Sequence, residues 1–151
     1  MSIRLLCVAL AAGLALISFG GGLYEFSVID RAWPRRPDII QPVRGGVDRK
    51  WFWIPAHVAF ELTLVASLLA TWSHPDVRFW LWIALASHAL MRVWSGLDFI
   101  PKALAFERAD PAVIDEDMAR QWTRRSRLRM PLDVITCSAM LAALVHAAGP
   151  A

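Results

Sequence analysis

The sequence predicts an all-α protein: a bundle of four transmembrane helices, with a short amphipathic helix on the surface before the last of them. Three observations predict it. Of the 151 residues, 57% are hydrophobic and 19% are charged, and the mean hydropathy is +0.44; soluble domains carry about 25% charged residues. The apolar residues gather in four runs, over 5–25, 51–72, 79–100 and 130–148, each close to the ~20 residues that cross a hydrocarbon core. Two basic segments and one short turn separate the runs. The remainder is too short for a second, soluble domain with its own core, so residues 1–151 read as one integral membrane domain. A disordered chain, a disulfide scaffold and an ordinary water-soluble enzyme are excluded.

The first span opens with one arginine, Arg4, and then runs apolar from Leu5 to Tyr24. That is long for the core of a signal peptide and right for a span, so it reads as an uncleaved helix. Gly13 and Gly20–Gly22 are small enough for neighbouring backbones to approach closely in lipid, and the glycine triplet favours a distortion near Tyr24 and Glu25. Phe26–Lys50 reads as a loop, with Pro34, Pro37, Pro42 and Gly45–Gly46. The second span, Trp51–Trp72, is bracketed by tryptophans that suit the two interfaces. Pro55 lies early enough in it to be tolerated. Ser73–Arg78 is a short turn broken by Pro75, and the third span, Phe79–Ile100, closes at Pro101. In Lys102–Arg129, Asp110-Pro111 suits a helix start, and Ile114, Met118 and Trp122 recur every four residues. This predicts the surface helix. Pro131 sits at the start of the last span, Met130–Ala148.

Orientation follows from the basic residues. Segments 26–50 and 102–129 hold six and seven of the sixteen Lys and Arg. The positive-inside rule places both segments in the cytoplasm and both termini outside. The net charge of +3 then belongs to topology and contact with anionic lipid, and no soluble element is left to read nucleic acid. Cys7 and Cys137 both lie in apolar runs and read as small hydrophobes.

Ionisable groups inside spans are expensive and mark function by default. This chain has Glu25, His57, Glu61, His88, Arg92, Asp98 and Asp133 there. At about 1.5 Å of rise per residue, His57 lies ~9 Å, Glu61 ~15 Å, Asp98 ~5 Å, Arg92 ~14 Å and His88 ~20 Å from the cytoplasmic ends of their spans. Glu25 and Asp133 lie near the rim, where helix capping or pairing with Arg127 and Arg129 would also account for them. Most of the set falls in the cytoplasmic half. His57 and Glu61 share a helix face, as do His88 and Arg92. Glu61 and Arg92, at similar depth, suit an ion pair, whereas Arg92 and Asp98 point to different partners. Such pairs could serve packing alone, yet a bundle without a function would be more stable without the whole set.

Three chemistries are open to a pocket built from these groups. A carboxylate-bridged metal site needs E-x-x-H pairs, and the spans offer only H-x-x-x-E. Haem between His57 and His88 needs one level, and their depths differ by ~11 Å. His74 and His146 lie near the outer face. In a cofactor-free site, His57 is the general base, Glu61 orients it and Arg92 stabilises a developing enolate or phenolate. Trp53, Phe60, Trp94 and Phe99 supply aromatic walls. Tyr24, Glu25, Trp53, His88, Trp94 and Asp98 are the candidate substrate contacts, with no metal ligand and no cofactor assigned.

The whole pattern resembles the anthrone-oxygenase-like family of small four-helix membrane proteins. The resemblance rests on the glycine-rich first helix ending in Tyr24-Glu25, on WFWIPAH at the start of the second span, and on Trp94-Ser95 leading to Phe99-Ile100-Pro101. The Trp122…Arg129 segment before the last span completes it. It covers roughly residues 5–145. It implies a four-helix membrane bundle and, from the characterised members, oxidation of a polyketide anthrone to an anthraquinone by O₂ without a known metal or flavin. In one departure, Ser126 stands where the family has Asn, three residues before Arg129. No catalytic residue is carried over from the family.

The leading reading is therefore an integral membrane oxygenase acting on a hydrophobic, aromatic substrate in the cytoplasmic half of the bundle, with the lipid bilayer as its surroundings. Two other readings stand beside it. One is an accessory subunit of a larger membrane complex or a homo-oligomer, docking through exposed tryptophans and the arginine-rich segment. The other is a small transporter or proton relay through Glu25, Asp98 and Asp133, which the uncharged outer half disfavours.

Overall fold

The computed structural model describes residues 2–149, which form helices joined by turns, with no strand among them. Four long helices dominate: α1 (Ile3–Tyr24), α2 (Lys50–Ala70), α3 (Pro75–Trp94) and α6 (Met130–Ala148). Two shorter ones, α4 (Ile100–Arg108) and α5 (Glu116–Ser126), lie between α3 and α6. The first helix with its extension to Ala32, α2, and the helix ending at Ala148 are long and apolar enough to cross a membrane. α3 is not among these three: Asp76, Arg78, His88 and Arg92 dilute its apolar run.

Three ends differ from the sequence reading. α3 begins at Pro75 rather than at Phe79, with the proline in the first helical position, where its missing N–H costs nothing. The two other ends differ through a π-turn. α1 does not stop at Glu25. It passes through a π-turn, Glu25–Ile29, into a last turn, Asp30–Ala32, so the distortion falls just after the glycine triplet. The third helix does not close at Pro101 either. A second π-turn, Ser95–Phe99, leads directly into α4, with Pro101 in its first turn. Proline lacks an N–H and crowds the carbonyl four residues back, and the wider turn before it removes that conflict.

α3 packs along α6, α6 along α1, and α1 along α2, whereas α2 and α3 touch sparingly although a short turn joins them. The bundle is thus open on its α2–α3 side. Its core is small-residue packing around Val8, Ala11, Ala12 and Ala15 of α1, against Phe60 and Leu64 of α2 and Met140 and Ala143 of α6. The close approach comes from these alanines. Gly13 and Gly20, expected to face neighbours, have open space where a side chain would sit, while Gly21 and Gly22 do abut Phe52 and Trp53. Large apolar side chains point outward from all four long helices, among them Ile17, Leu62, Leu90 and Val145, as lipid contact requires.

The two basic segments are not loose loops. They close the α1 and α3 ends of the bundle with a second core of Trp33, Ile40, Phe99, Ala119 and Trp122. Trp33 packs against Phe106 and Trp122, with ring centroids 5.1 and 5.8 Å apart. Buried Gln41 donates to the Phe106 and Ala109 carbonyls at 2.9 and 2.8 Å, satisfying orphan groups at the α4 C-terminus. The amphipathic helix starts later than expected. Asp110 caps a single 3₁₀ turn, and Asp115 caps α5. Its buried face is Ala119, Trp122, Thr123 and Ser126, while Met118 points outward, so α5 rests on protein through Trp122.

Candidate functional site

A cavity of about 440 Å³ lies where α2 and α3 diverge, between the end of α1 and the starts of α2 and α6, with α4 and α5 beneath. Both π-turns border it, through Glu25 and Phe26 on one side and Ser95 and Phe99 on the other. Such turns re-aim side chains without ending the helix. The walls are mostly apolar, including Ile54, Val58, Met91, Ile100 and Leu104, with a few charged groups converging among them.

One charged group is a network at the helix ends. Glu25 accepts from Trp53 Nε1 at 2.7 Å and from Arg49 at 2.9 Å. Arg49, whose side chain is 11% exposed, also reaches Glu107 at 3.0 Å, and Lys50 pairs with the other Glu107 oxygen at 3.0 Å. α1, α2 and α4 are thereby tied together at the cavity's rim.

A second group lies deeper. Glu61 accepts from Arg92 Nε at 3.0 Å and sits 3.2 Å from His88 Nε2. His88 is buried against the edge of Phe60. Its ring centroid is 5.6 Å from that of His57, which stacks on Trp53 at 5.4 Å. The ~11 Å depth difference expected for the two histidines is thus absent: the helix holding His88 continues past Pro101 to Arg108, so Pro101 does not mark the end from which depth should be counted.

The third group is Arg129. It donates to Ser95 Oγ at 2.5 Å and Ser126 Oγ at 3.0 Å, and its guanidinium lies 4.4 Å over the Phe99 ring. All its contacts are neutral, and no ion pair forms there among the described residues. Asp133, one turn further along, faces the same cavity.

Of the residues expected at the site, Glu25, Trp53, His57 and Arg92 line the cavity. His88 stands behind His57, and Glu61 reaches the site through His88 and Arg92. Glu61 makes no hydrogen bond to His57, so the expected orienting pair does not form: both histidines and Arg92 crowd one carboxylate, and His88 and Arg92 take it. Tyr24 points away and is 59% exposed. Trp94 packs on Phe99 in the second core, and Asp98 faces outward to Lys102 and Arg125. Arg49, Glu107, Ser95, Ser126 and Arg129 complete the site beyond the residues that the sequence assigns to it. Arg129 enters the sequence reading only as a rim partner for Glu25 and Asp133 and with Ser126 in the family resemblance, and Ser95 as the next residue on the His88–Arg92 face. Arg49 and Arg129 had been counted with the topology-setting arginines, and no spacing distinguishes them from those. Asp133 stood among the intramembrane charges, which was the usable signal.

Cys7 and Cys137 are free thiols. Among the described residues no three His, Cys, Asp or Glu side chains gather as a metal-ligand group. Compared with known proteins, the chain matches no family model, no curated protein and no solved structure.

Proposed function

We propose that the protein is a four-span integral membrane protein of the inner membrane, with both termini outside and the two basic segments cytoplasmic, and that its cavity oxidises a lipophilic aromatic substrate with O₂. The observation that carries this reading is Arg129, a guanidinium with neutral partners in a largely apolar cavity beside a histidine. A fixed cation in a water-poor site favours the substrate form whose oxygen becomes negative. The opening between α2 and α3 admits a ring system from the bilayer.

In the proposed reaction an anthrone-type CH₂ loses one proton to His57, and the charge passes to the conjugated oxygen, which Arg129 and Arg92 stabilise. The carbanion carbon forms a C–O bond to O₂, giving a hydroperoxide once a proton returns. Loss of water, with the second C–H proton, leaves the ketone. R₂CH₂ and O₂ thus give R₂C=O and H₂O, with O₂ the oxidant. Glu61 holds Arg92 and His88 in place, and Trp53 and Phe99 flank the ring.

The test is O₂ uptake by the purified protein in nanodiscs with 1,8-dihydroxyanthrone as probe, above the probe's own autoxidation. Uptake that is lost in folded His57→Ala supports the reading. It is overturned if wild-type protein neither consumes O₂ nor shows quenching of tryptophan fluorescence by the probe. Iron, copper or haem bound in stoichiometric amount would overturn its cofactor-free form.

A further inference from the structure

His57 lies on the walls of two adjoining cavities. Beside the large cavity lies a second of about 10 Å³; Ser18, Met91 and Asp133 line both with His57, and His88 and Thr136 line the small one only. That volume is about what one water molecule needs. Two of its wall residues, Ser18 and His57, carry the polar atoms Ser18 Oγ and His57 Nδ1, both shut off from solvent and both without a protein partner. Buried polar atoms of this kind cost free energy unless they are hydrogen-bonded, and a bridging water with two to four polar neighbours is the usual remedy. Asp133 adds a carboxylate to the same wall.

We propose that one buried water, held by Ser18 and Asp133, positions His57: the ring donates from Nδ1 to the water, and the water donates to the Asp133 carboxylate and exchanges a hydrogen bond with Ser18 Oγ. The hydrogen bond at one imidazole nitrogen decides the tautomer. With its proton on Nδ1, the ring presents the Nε2 lone pair to the large cavity, as a base must. The task that the spacing had suggested for Glu61 thus falls to Asp133, acting through water from a different helix. Ser18 and Asp133 are positioning residues; the proton acceptor stays His57. The proposal rests on the reading of the cavity as a site where His57 takes a proton, but the tautomer itself requires no substrate.

The experiment uses the full chain in nanodiscs with ¹⁵N-labelled histidine, the His57 signals being assigned by their loss in His57→Gln. The expected wild-type result is a neutral ring protonated at Nδ1. Asp133→Asn and Ser18→Ala should each shift population to the Nε2–H tautomer. If turnover is present, kcat falls about 10- to 100-fold in Asp133→Asn, as when a histidine's outer partner is removed, with KM little changed. A wild-type ring protonated at Nε2 overturns the proposal, as does an Nδ1–H ring unchanged in both folded variants. The wild-type spectrum decides even if neither variant folds. Correct tautomers without O₂ uptake would overturn the oxygenase reading and leave the positioning intact; uptake with the wrong tautomer would do the reverse.

Discussion

Arg49 and Arg129 border the same cavity, yet their surroundings assign them opposite work. Arg49 neutralises two nearly buried carboxylates, Glu25 and Glu107. Replacing it with leucine leaves Glu25 without a counter-ion, held only by the Trp53 N–H, and leaves Glu107 with Lys50 alone, a loss of up to about 3–5 kcal/mol, to be read as a lower melting temperature in detergent. The exposed Arg36–Asp38 pair is the comparison: Arg36→Ala should change stability by less than about 1 kcal/mol. Arg129 has hydroxyls and an aromatic face instead of a counter-ion. Arg129→Leu removes a desolvated charge that no ion pair holds, although Asp133 lies one turn away, so the melting temperature should change little. Binding of an anionic aromatic probe should nevertheless weaken at least about tenfold, or about 1.4 kcal/mol. Fluorescence titration and a thermal scan on the same sample separate the two effects.

At the level of elements, the segments between the long helices matter as much as the helices. The first basic segment folds back through Gly46, whose added Cβ would meet the backbone of Asp38, Ile39 and Gln41. Backbone cannot rotate away as a side chain can, so Gly46→Ala should cost about 1–3 kcal/mol and loosen the Gln41 clamp on α4. Limited proteolysis within 33–49 should report it. Gly20 has no neighbour where its Cβ would sit, and Gly20→Ala should be neutral or stabilising by up to about 1 kcal/mol. Trp33, fully buried in the second core, belongs to the same argument: Trp33→Ala should cost about 3–5 kcal/mol and free α5 from the bundle end, seen as faster amide exchange over 116–126.

For the whole molecule, the proposed orientation makes a direct prediction. Val43 lies exposed in the first basic segment and Ser73 in the turn between α2 and α3. With Cys7 and Cys137 replaced by alanine, Val43→Cys should react with an impermeant thiol reagent only from the cytoplasmic side, and Ser73→Cys only from the outside. Labelling of both from one side would mean that α2 does not cross. Labelling in the reverse sense would overturn the orientation drawn from the basic residues.

The positions of the long helices were legible because apolar runs of fixed length can be counted along a chain; three of the four are long and apolar enough to cross a membrane. The concentration of Glu25, His57, Arg92 and Asp133 toward one end was legible for the same reason, since depth follows from rise per residue. Which of those groups would meet was not. Glu61 shares a helix face with His57 but turns to α3, and Tyr24, Trp94 and Asp98 lie beside cavity residues in sequence while pointing elsewhere. Two π-turns shift the register where the chain passes the cavity, and that shift leaves no mark in a 3.6-residue pattern. Composition and spacing specified a helical, lipid-suited chain with most of its intramembrane charges toward one end. The tertiary structure alone decided that Arg49 and Arg129, alike as residues, are a strut and an open cation. Pairing depends on which helices splay and which close, and that is settled by packing between distant segments.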